Sequence, residues 1–582
     1  MAAQSDSPRA GQTDRDLASI QEARDLARRA RRAQTDLAEL SQERIDAIVD
    51  AMAAAVTPQA ETLARLAVEE TGFGNVPDKV QKNRFASERV YQFIRPIRTV
   101  GVVNRHEQTK VVEIAEPFGV VAAIVPSTNP TSTAIYKILI AIKARCAIVL
   151  SPHPSAARCI SRTADVMATA ARGAGAPDGS ILWMSTVTLE GTQELMKARE
   201  VAVILATGGM GLVRAAYSAG KPAYGVGPGN APAYIEASAD VPKAVADIVT
   251  GKTFDNGVLC SSENSVVVDD AVADQARQTF IEQGGYFLSS PEADQLARVL
   301  VTPQRLPNPA LVGKTAPFVA EKAGITVPAG TRVLLAPLTG VGRDFPLSIE
   351  KLCPVLSYYV VKDWREGCER CIQILRYGGM GHTMAIHSRN EQVILEFGLR
   401  KPAFRICVNT PTTHGSIGMT TGLDPAMTLG CGGFGGNITS DNITPRHLLN
   451  IKRLAYEVSP APRSTPPQEP ASGRAPSERM LAGPRRAQAE PVSAESLTQR
   501  IDQFLRARGV HGTPATTVRP AASAGTPTAA APAAAEFVCE EDVRIAVRAR
   551  QKILIDERTI ITPAARDAGE ALRIFEQISW HP

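Results

Sequence analysis

The sequence predicts an α/β fold with largely parallel sheets, a separate β-hairpin and a largely disordered C-terminal extension. Three observations lead there. Short apolar runs at 120–125, 147–150, 181–184 and 201–205 alternate with stretches of helical periodicity, the pattern of right-handed βαβ units whose strands are buried on both faces. The runs at 120–125, 147–150 and 201–205 are followed by loops of proline, glycine or small polar residues: Pro126-Ser127-Thr128-Asn129-Pro130, Ser151-Pro152-His153-Pro154-Ser155 and Ala206-Thr207-Gly208-Gly209-Met210-Gly211. Ligands of such sheets bind at the carboxyl ends of the strands, where these loops lie. Beyond Tyr456, Pro, Ala, Ser, Thr and Arg dominate to about Ala535, a composition that buries too little apolar surface to offset the entropy of ordering.

Taken in order, residues 1–15 are polar and expected to be disordered. Leu17, Ile20, Ala23, Leu26, Ala27 and Ala30 then recur at helical spacing, and more helix follows until Thr71-Gly72-Phe73-Gly74 stops it. Residues 100–103 and 110–115 alternate around a polar turn and predict a hairpin over about 99–116; an exposed hairpin needs a partner, which makes it a candidate oligomerisation element. These elements and the alternating segment form a first domain over 16–225. A second α/β domain, 226–430, carries Cys260, Glu350 and the turn Gly378-Gly379-Met380-Gly381-His382, and residues 431–456 complete the globular part. The stretch from Tyr224 to Pro232 holds too many glycines and prolines for a helix or a central strand and is expected to be a sculpted loop.

A length of 582 residues with 44% hydrophobic content suits two or three well-cored domains. The balance of 64 basic against 59 acidic residues, net +5, makes no case for a nucleic-acid partner. Cys368 and Cys371 form a CxxC without a second half, and none of the nine cysteines is paired with histidines at zinc spacing. Reduced thiols and no metal are the expectation. No run reaches the roughly 18 apolar residues of a membrane span, and no signal-type apolar segment follows Met1, so a cytoplasmic protein with no membrane part is expected.

One stretch invites chemistry. Cys260 lies shortly after the Asn256-Gly257 step, on an expected loop, with Ser261 and Ser262 beyond it. A thiolate attacks carbonyl carbons and forms thioesters, which pass an acyl group onward readily. A lone cysteine is more often a small buried hydrophobe, so the rest of the chain has to decide.

Phe254-Asp255-Asn256-Gly257-Val258-Leu259-Cys260, the loops 126–130 and 151–155, and Glu350-Lys351-Leu352-Cys353-Pro354 together resemble the aldehyde dehydrogenase superfamily. Within it they resemble the coenzyme-A-acylating branch, of the microcompartment-associated propionaldehyde/acetaldehyde dehydrogenase type, over about residues 16–456. The resemblance implies a Rossmann-like dinucleotide domain, an α/β catalytic domain, subunit contacts through the hairpin and a homo-oligomer, dimer or tetramer. It implies that Cys260 adds to a short-chain aldehyde, that the Asn129 amide and the Cys260 N–H hold the oxyanion, and that hydride leaves for NAD. Pro126, Ser127, Ser151 and His153 would belong to the nucleotide loops. Thr207, Gly208 and Gly209 would let backbone amides approach a pyrophosphate, and Glu350 would hold the nicotinamide ribose. His382 matches the acylating branch too, either as the group that orients or deprotonates the coenzyme A thiol or as packing behind the nucleotide.

Two departures from the water-using members matter. Their loop matching 226–232 opens with a glutamate that activates water; Val226 stands here and the loop holds no carboxylate, so coenzyme A is the expected acyl acceptor. Ser151 and Pro154 replace a lysine and an acidic residue near the adenosine ribose, which leaves NADP open beside NAD. The rival readings are a hydrolytic aldehyde dehydrogenase releasing free acid and a catalytically idle microcompartment scaffold.

Within the 457–535 linker, Leu497, Ile501, Phe504 and Leu505 fall at helical spacing in an amphipathic segment, 493–508. It resembles the encapsulation peptides that carry enzymes into bacterial microcompartments, and implies a shell protein as partner and a place inside such a compartment. Residues 536–582 form a small terminal segment, with a helix expected near 541–551.

Overall fold

The computed structural model describes residues 9–461, 535, 537–555 and 559–577. The chain divides into two compact units, Met1–Ser464 and Thr465–Pro582.

The first unit holds a five-stranded parallel sheet in the spatial order Ile181–Trp183, Ile148–Pro152, Val120–Val125, Val201–Thr207, Ala223–Val226. The strand that comes first in the chain lies in the middle, so strand order reverses between Val120–Val125 and Val201–Thr207; a ligand crevice forms at such a switch point. Val120–Val125 is buried throughout, which is why it reads as an unbroken apolar run. The helix Pro130–Lys143 follows it and is buried along its whole length, two lysines included. Both ammonium groups are used. Lys137 Nζ donates to the carbonyls of Ile124 at 2.7 Å and Leu205 at 2.9 Å, and Lys143 Nζ to Asp46 Oδ1 at 2.5 Å and the Arg95 carbonyl at 2.8 Å.

A seven-stranded parallel sheet follows, in the order Gly285–Phe287, Val333–Pro337, Val355–Val361, Glu263–Asp269, Ala231–Ile235, Gly381–His387, Ala403–Val408. Gly101–His106 and Val111–Pro117 form the expected hairpin, and Leu449–Ala455 pairs along its second strand from Leu449 opposite Pro117 to Ala455 opposite Val111.

Three expectations need correction. The first helix, Arg9–Ala38, begins inside the stretch expected to be disordered; once a helix is nucleated, extending it by a turn costs little. Pro232 lies in a central strand, Ala231–Ile235. Its missing N–H is accommodated by a register shift between Ala231 and Pro232 on one side, and on the other the ladder with Gly381–His387 begins only at Ala233. The chain also leaves the second sheet before the expected boundary at 430: Ile417, Ala426, Met427 and Leu429 are buried in the core of the five-stranded sheet. Polar turn residues separate these apolar positions, so no periodicity announces the return.

The second unit contains two strand–helix–strand repeats, Phe537–Val538, Glu540–Ala549, Ile553–Ile555 and Ile560–Ile561, Pro563–Ala571, Phe575–Gln577. Opening strands pair in parallel, as do closing strands, over a small cluster of Val538, Val543 and Ala565. The segment 493–508 lies outside the described residues. Among the described residues no helix is long and apolar enough to cross a membrane, and no group of three His, Cys, Asp or Glu could hold a metal ion.

Ile138 is fully buried in the helix Pro130–Lys143. Ile138→Ala should destabilise the protein by about 2–5 kcal/mol, the transfer loss plus the cavity left behind, read as a lower midpoint in urea with an unchanged slope.

Candidate active site

A cavity of about 460 Å³ opens at the switch point. Its walls include the carboxyl end of Val120–Val125, the loops 126–129, 151–154, 207–209 and 226–228, and, from across the crevice, Val258, Cys260 and Glu350. Pro126, Ser127, Asn129, Ser151, His153, Thr207, Gly208, Gly209 and Glu350 thus come together around the cysteine. His382 is not among the lining residues, but its ring lies against the sulfur.

The cysteine loop is shaped by its sequence. After the helix Val241–Thr253, Asp255, Asn256 and Gly257 take left-handed backbone angles (φ 49°, 54° and 75°), conformations that Asn, Asp and Gly adopt at least cost. This tight reversal carries the chain round to Cys260. His382 Nε2 lies 3.3 Å from Cys260 Sγ, and its Nδ1 lies 2.9 Å from Thr383 Oγ1. Gly229 packs against both residues: a Cβ there would meet the Cys260 carbonyl oxygen at 2.1 Å and His382 Cγ at 3.1 Å. The Gly229 N–H donates to Glu350 Oε1 at 2.9 Å.

Burial keeps these groups neutral. It pushes the Cys260 thiol up to about 12, with Glu350 and Cys431 adding to the rise. His382 is brought down to about 3 by burial and by Arg405, and Glu350 is raised to about 8 by burial against the N–H of Gly229 and the lysines nearby. Arg405, 2% exposed, donates to the carbonyls of Ser440 and Gly430, and its Nε has no partner among the described residues.

The opposite wall has an anion-accepting character. Gly209 caps the helix Met210–Tyr217 without a capping side chain, leaving N–H groups of its first turn to receive a phosphate. Thr207 Oγ1 is buried without a partner among the described residues. These features fit a dinucleotide pyrophosphate. Ser151 Oγ is 2.8 Å from Thr192 Oγ1, and His153 Nδ1 is 2.8 Å from Ser155 Oγ.

Sequence reading missed the support beneath Asn129. Lys79 and Lys82, on the helix Val76–Arg84, are buried against the fully buried carboxylate of Asp255. Lys82 Nζ also donates to Asn129 Oδ1 at 2.6 Å, and Lys79 Nζ to the Thr128 carbonyl at 3.2 Å. Their spacing of three residues places both lysines on one helix face, but that spacing is equally common on solvated faces. Arg405, on the strand Ala403–Val408, was missed because a lone arginine gives no sign in sequence of the distant carbonyls it meets.

A profile of the aldehyde dehydrogenase family matches residues 10–286. The chain is 42% identical to the bifunctional aldehyde-alcohol dehydrogenase of Escherichia coli over 444 residues, 75% of this chain but 50% of that one, so it spans about half that relative's length. It is 37% identical to the succinate-semialdehyde dehydrogenase (acetylating) of Clostridium kluyveri, over 74% of this chain and 95% of that one. Among solved structures, an acetylating aldehyde dehydrogenase from Geobacillus thermoglucosidasius superposes with a TM-score of 0.76 at 50% identity, covering 77% of this chain and 99% of the other. A propionaldehyde dehydrogenase from the Clostridium phytofermentans fucose utilisation bacterial microcompartment superposes with a TM-score of 0.67 at 27% identity, over 75% and 98%.

A thiol raised to about 12 is essentially all protonated at neutral pH. Alkylation of Cys260 by iodoacetamide in the enzyme without substrates should therefore climb about tenfold per pH unit from 7 to 9 without a plateau. A plateau below pH 9 would contradict that assignment.

Proposed function

Because the chain belongs to the aldehyde dehydrogenase family, we propose that it oxidises a short-chain aldehyde to the acyl-coenzyme A thioester, with NAD or NADP as hydride acceptor and Cys260 as nucleophile. The observation that carries the reading is Cys260 on the wall of a switch-point cavity with His382 Nε2 3.3 Å from its sulfur. Homologues and solved structures of acetylating enzymes support it.

At rest the neutral imidazole accepts the hydrogen of the thiol. As sulfur bonds to the aldehyde carbon it sheds its proton, and His382 Nε2 is placed to take it. The negative charge moves to the aldehyde oxygen, toward the Asn129 amide and the Cys260 N–H, each such donor being worth roughly 3–4 kcal/mol in the transition state. A bound nicotinamide dinucleotide would supply the hydride acceptor for this carbon. Thr207, Gly209 and the first turn of Met210–Tyr217 would hold its pyrophosphate, and Glu350 its ribose.

What remains on Cys260 is a thioester, and its fate depends on which acceptor is activated. Val226 gives water no base. Glu350 at about 8 is mostly protonated at neutral pH, and its Oε1 already receives the Gly229 N–H. His382 is next to the sulfur; once the proton taken from Cys260 has passed to solvent, it takes the proton of the incoming coenzyme A thiol as the acyl group transfers and returns it to the departing Cys260 sulfur.

The enzyme acts as a homo-oligomer using the hairpin Gly101–His106 and Val111–Pro117, in the cytoplasm and inside a bacterial microcompartment. The apolar stripe of Leu497, Ile501, Phe504 and Leu505 docks on a shell protein. The sequence of that segment supports this, as does the fold shared with the microcompartment propionaldehyde dehydrogenase.

Reduced dinucleotide formed from two- to four-carbon aldehydes should require coenzyme A for sustained turnover, with acyl-coenzyme A as the main product; free acid as the main product under saturating coenzyme A would overturn the reading. Cys260→Ala should lower turnover by more than about a thousandfold while dinucleotide binding, measured by fluorescence titration, stays within a few fold.

A further inference from the structure

Asn129 occupies the N-cap position of the helix Pro130–Lys143 but makes no capping bond. An asparagine there ordinarily turns its side-chain oxygen onto the N–H groups of the first turn. Here that oxygen accepts from Lys82 Nζ at 2.6 Å instead. We propose that Lys82 is the positioning residue of the oxyanion hole: it holds Asn129 Oδ1 so that Nδ2 is the atom left to face the aldehyde oxygen, and Asp255 ties that lysine to the nucleophile loop. The inference rests on the reading of Asn129 as an oxyanion donor and extends it.

The chemistry of a carboxamide makes such a partner necessary. Its oxygen and nitrogen ends are nearly the same in shape, and only the neighbours decide which end points where. An ammonium group has donors and no acceptor, so it selects the oxygen. One Nδ2 hydrogen is directed to Thr128 Oγ1 at 3.2 Å, leaving the other for a ligand. A cation on Oδ1 also polarises the amide and strengthens its N–H as a donor.

Asp255 extends the hold to the other half of the hole. Its Oδ2 takes both Lys79 and Lys82, and its Oδ1 accepts the Asn75 N–H at 2.8 Å. The carboxylate fills the place of a side chain at Gly74, where a Cβ would stand 1.8 Å from Asp255 Oδ1. Lys79 adds its bond to the Thr128 carbonyl. The Asn129 loop is thus pinned at two adjacent residues to a carboxylate on the loop that carries Cys260, and both oxyanion donors are referred to one buried anion.

The test is a double-mutant cycle on the full-length enzyme with propionaldehyde, NAD and coenzyme A. Asn129→Ala and Lys82→Met should each lower kcat by roughly a hundredfold with little change in the dinucleotide KM. The double variant should be no slower than Asn129→Ala by more than about threefold, because Lys82 acts only through Asn129. The Cys260 alkylation rate should stay within about twofold in Lys82→Met, and Lys82→Arg, which also selects the oxygen, should recover most of kcat. If Lys82→Met does not fold, Lys82→Leu, which likewise leaves the buried Asp255–Lys79 pair balanced, carries the same expectation. Losses that multiply in the double variant, a wild-type kcat in Lys82→Met, or a Lys82→Arg as slow as Lys82→Met would each overturn the inference alone. A wild-type kcat in Asn129→Ala would overturn the oxyanion reading and the inference with it.

Discussion

The constraint on which the active site depends is one buried carboxylate. Asp255 is inaccessible to solvent, as are Lys79 and Lys82 to within 2%. Taking each such charge out of water costs several kcal/mol, and removing one partner of a buried pair costs about 3–5 kcal/mol because the remaining charge is left uncompensated. Loss of Asp255 would leave two buried cations uncompensated, whereas loss of either lysine leaves one balanced pair. What this arrangement supplies is geometry more than stability: it joins the helix Val76–Arg84, the loop around Asn129 and the loop leading to Cys260. The left-handed backbone at Asp255 and Asn256 persists because the buried ion pairs around it over-determine the loop.

Around that anchor the groups to which the proposed reaction gives roles are kept neutral. Cys260, His382 and Glu350 are shifted by burial in the directions that remove charge from all three. Negative charge then appears only as the reaction proceeds. It appears in a site already holding the Arg405 guanidinium, whose Nε is unmatched, and fixed N–H donors. Donors in place before charge develops need no reorganisation at the moment of reaction, which is where most of their value lies. Gly229 lets the backbone lie close to both Cys260 and His382, where a side chain would collide with the Cys260 carbonyl.

Much of this was legible in the sequence, for physical reasons. Val120–Val125 and its parallel neighbours are buried on both faces, so they appear as apolar runs ended by glycine and proline loops. The loops named from sequence do meet around one cavity, since a parallel sheet gathers the ends of its strands at one edge. The failures have local causes. Pro232 was excluded from a central strand by a rule that a single register shift overrides. Arg9 to Arg15 lacks apolar periodicity and was not read as helix, although it extends one. Lys79, Lys82 and Arg405 look like surface residues in a list of letters; their burial follows from Asp255 and from the carbonyls of Gly430 and Ser440, partners distant in the chain.

The central claim is that Cys260 carries the acyl group and waits for a thiol. Intact-mass spectrometry of the enzyme mixed with propionaldehyde and NAD, with coenzyme A withheld, tests it directly. The account predicts a propionyl adduct that maps to Cys260, persists for many turnover times, and disappears on adding coenzyme A as an equal amount of propionyl-coenzyme A forms. Absence of the adduct, with propionic acid accumulating in its place, would contradict it.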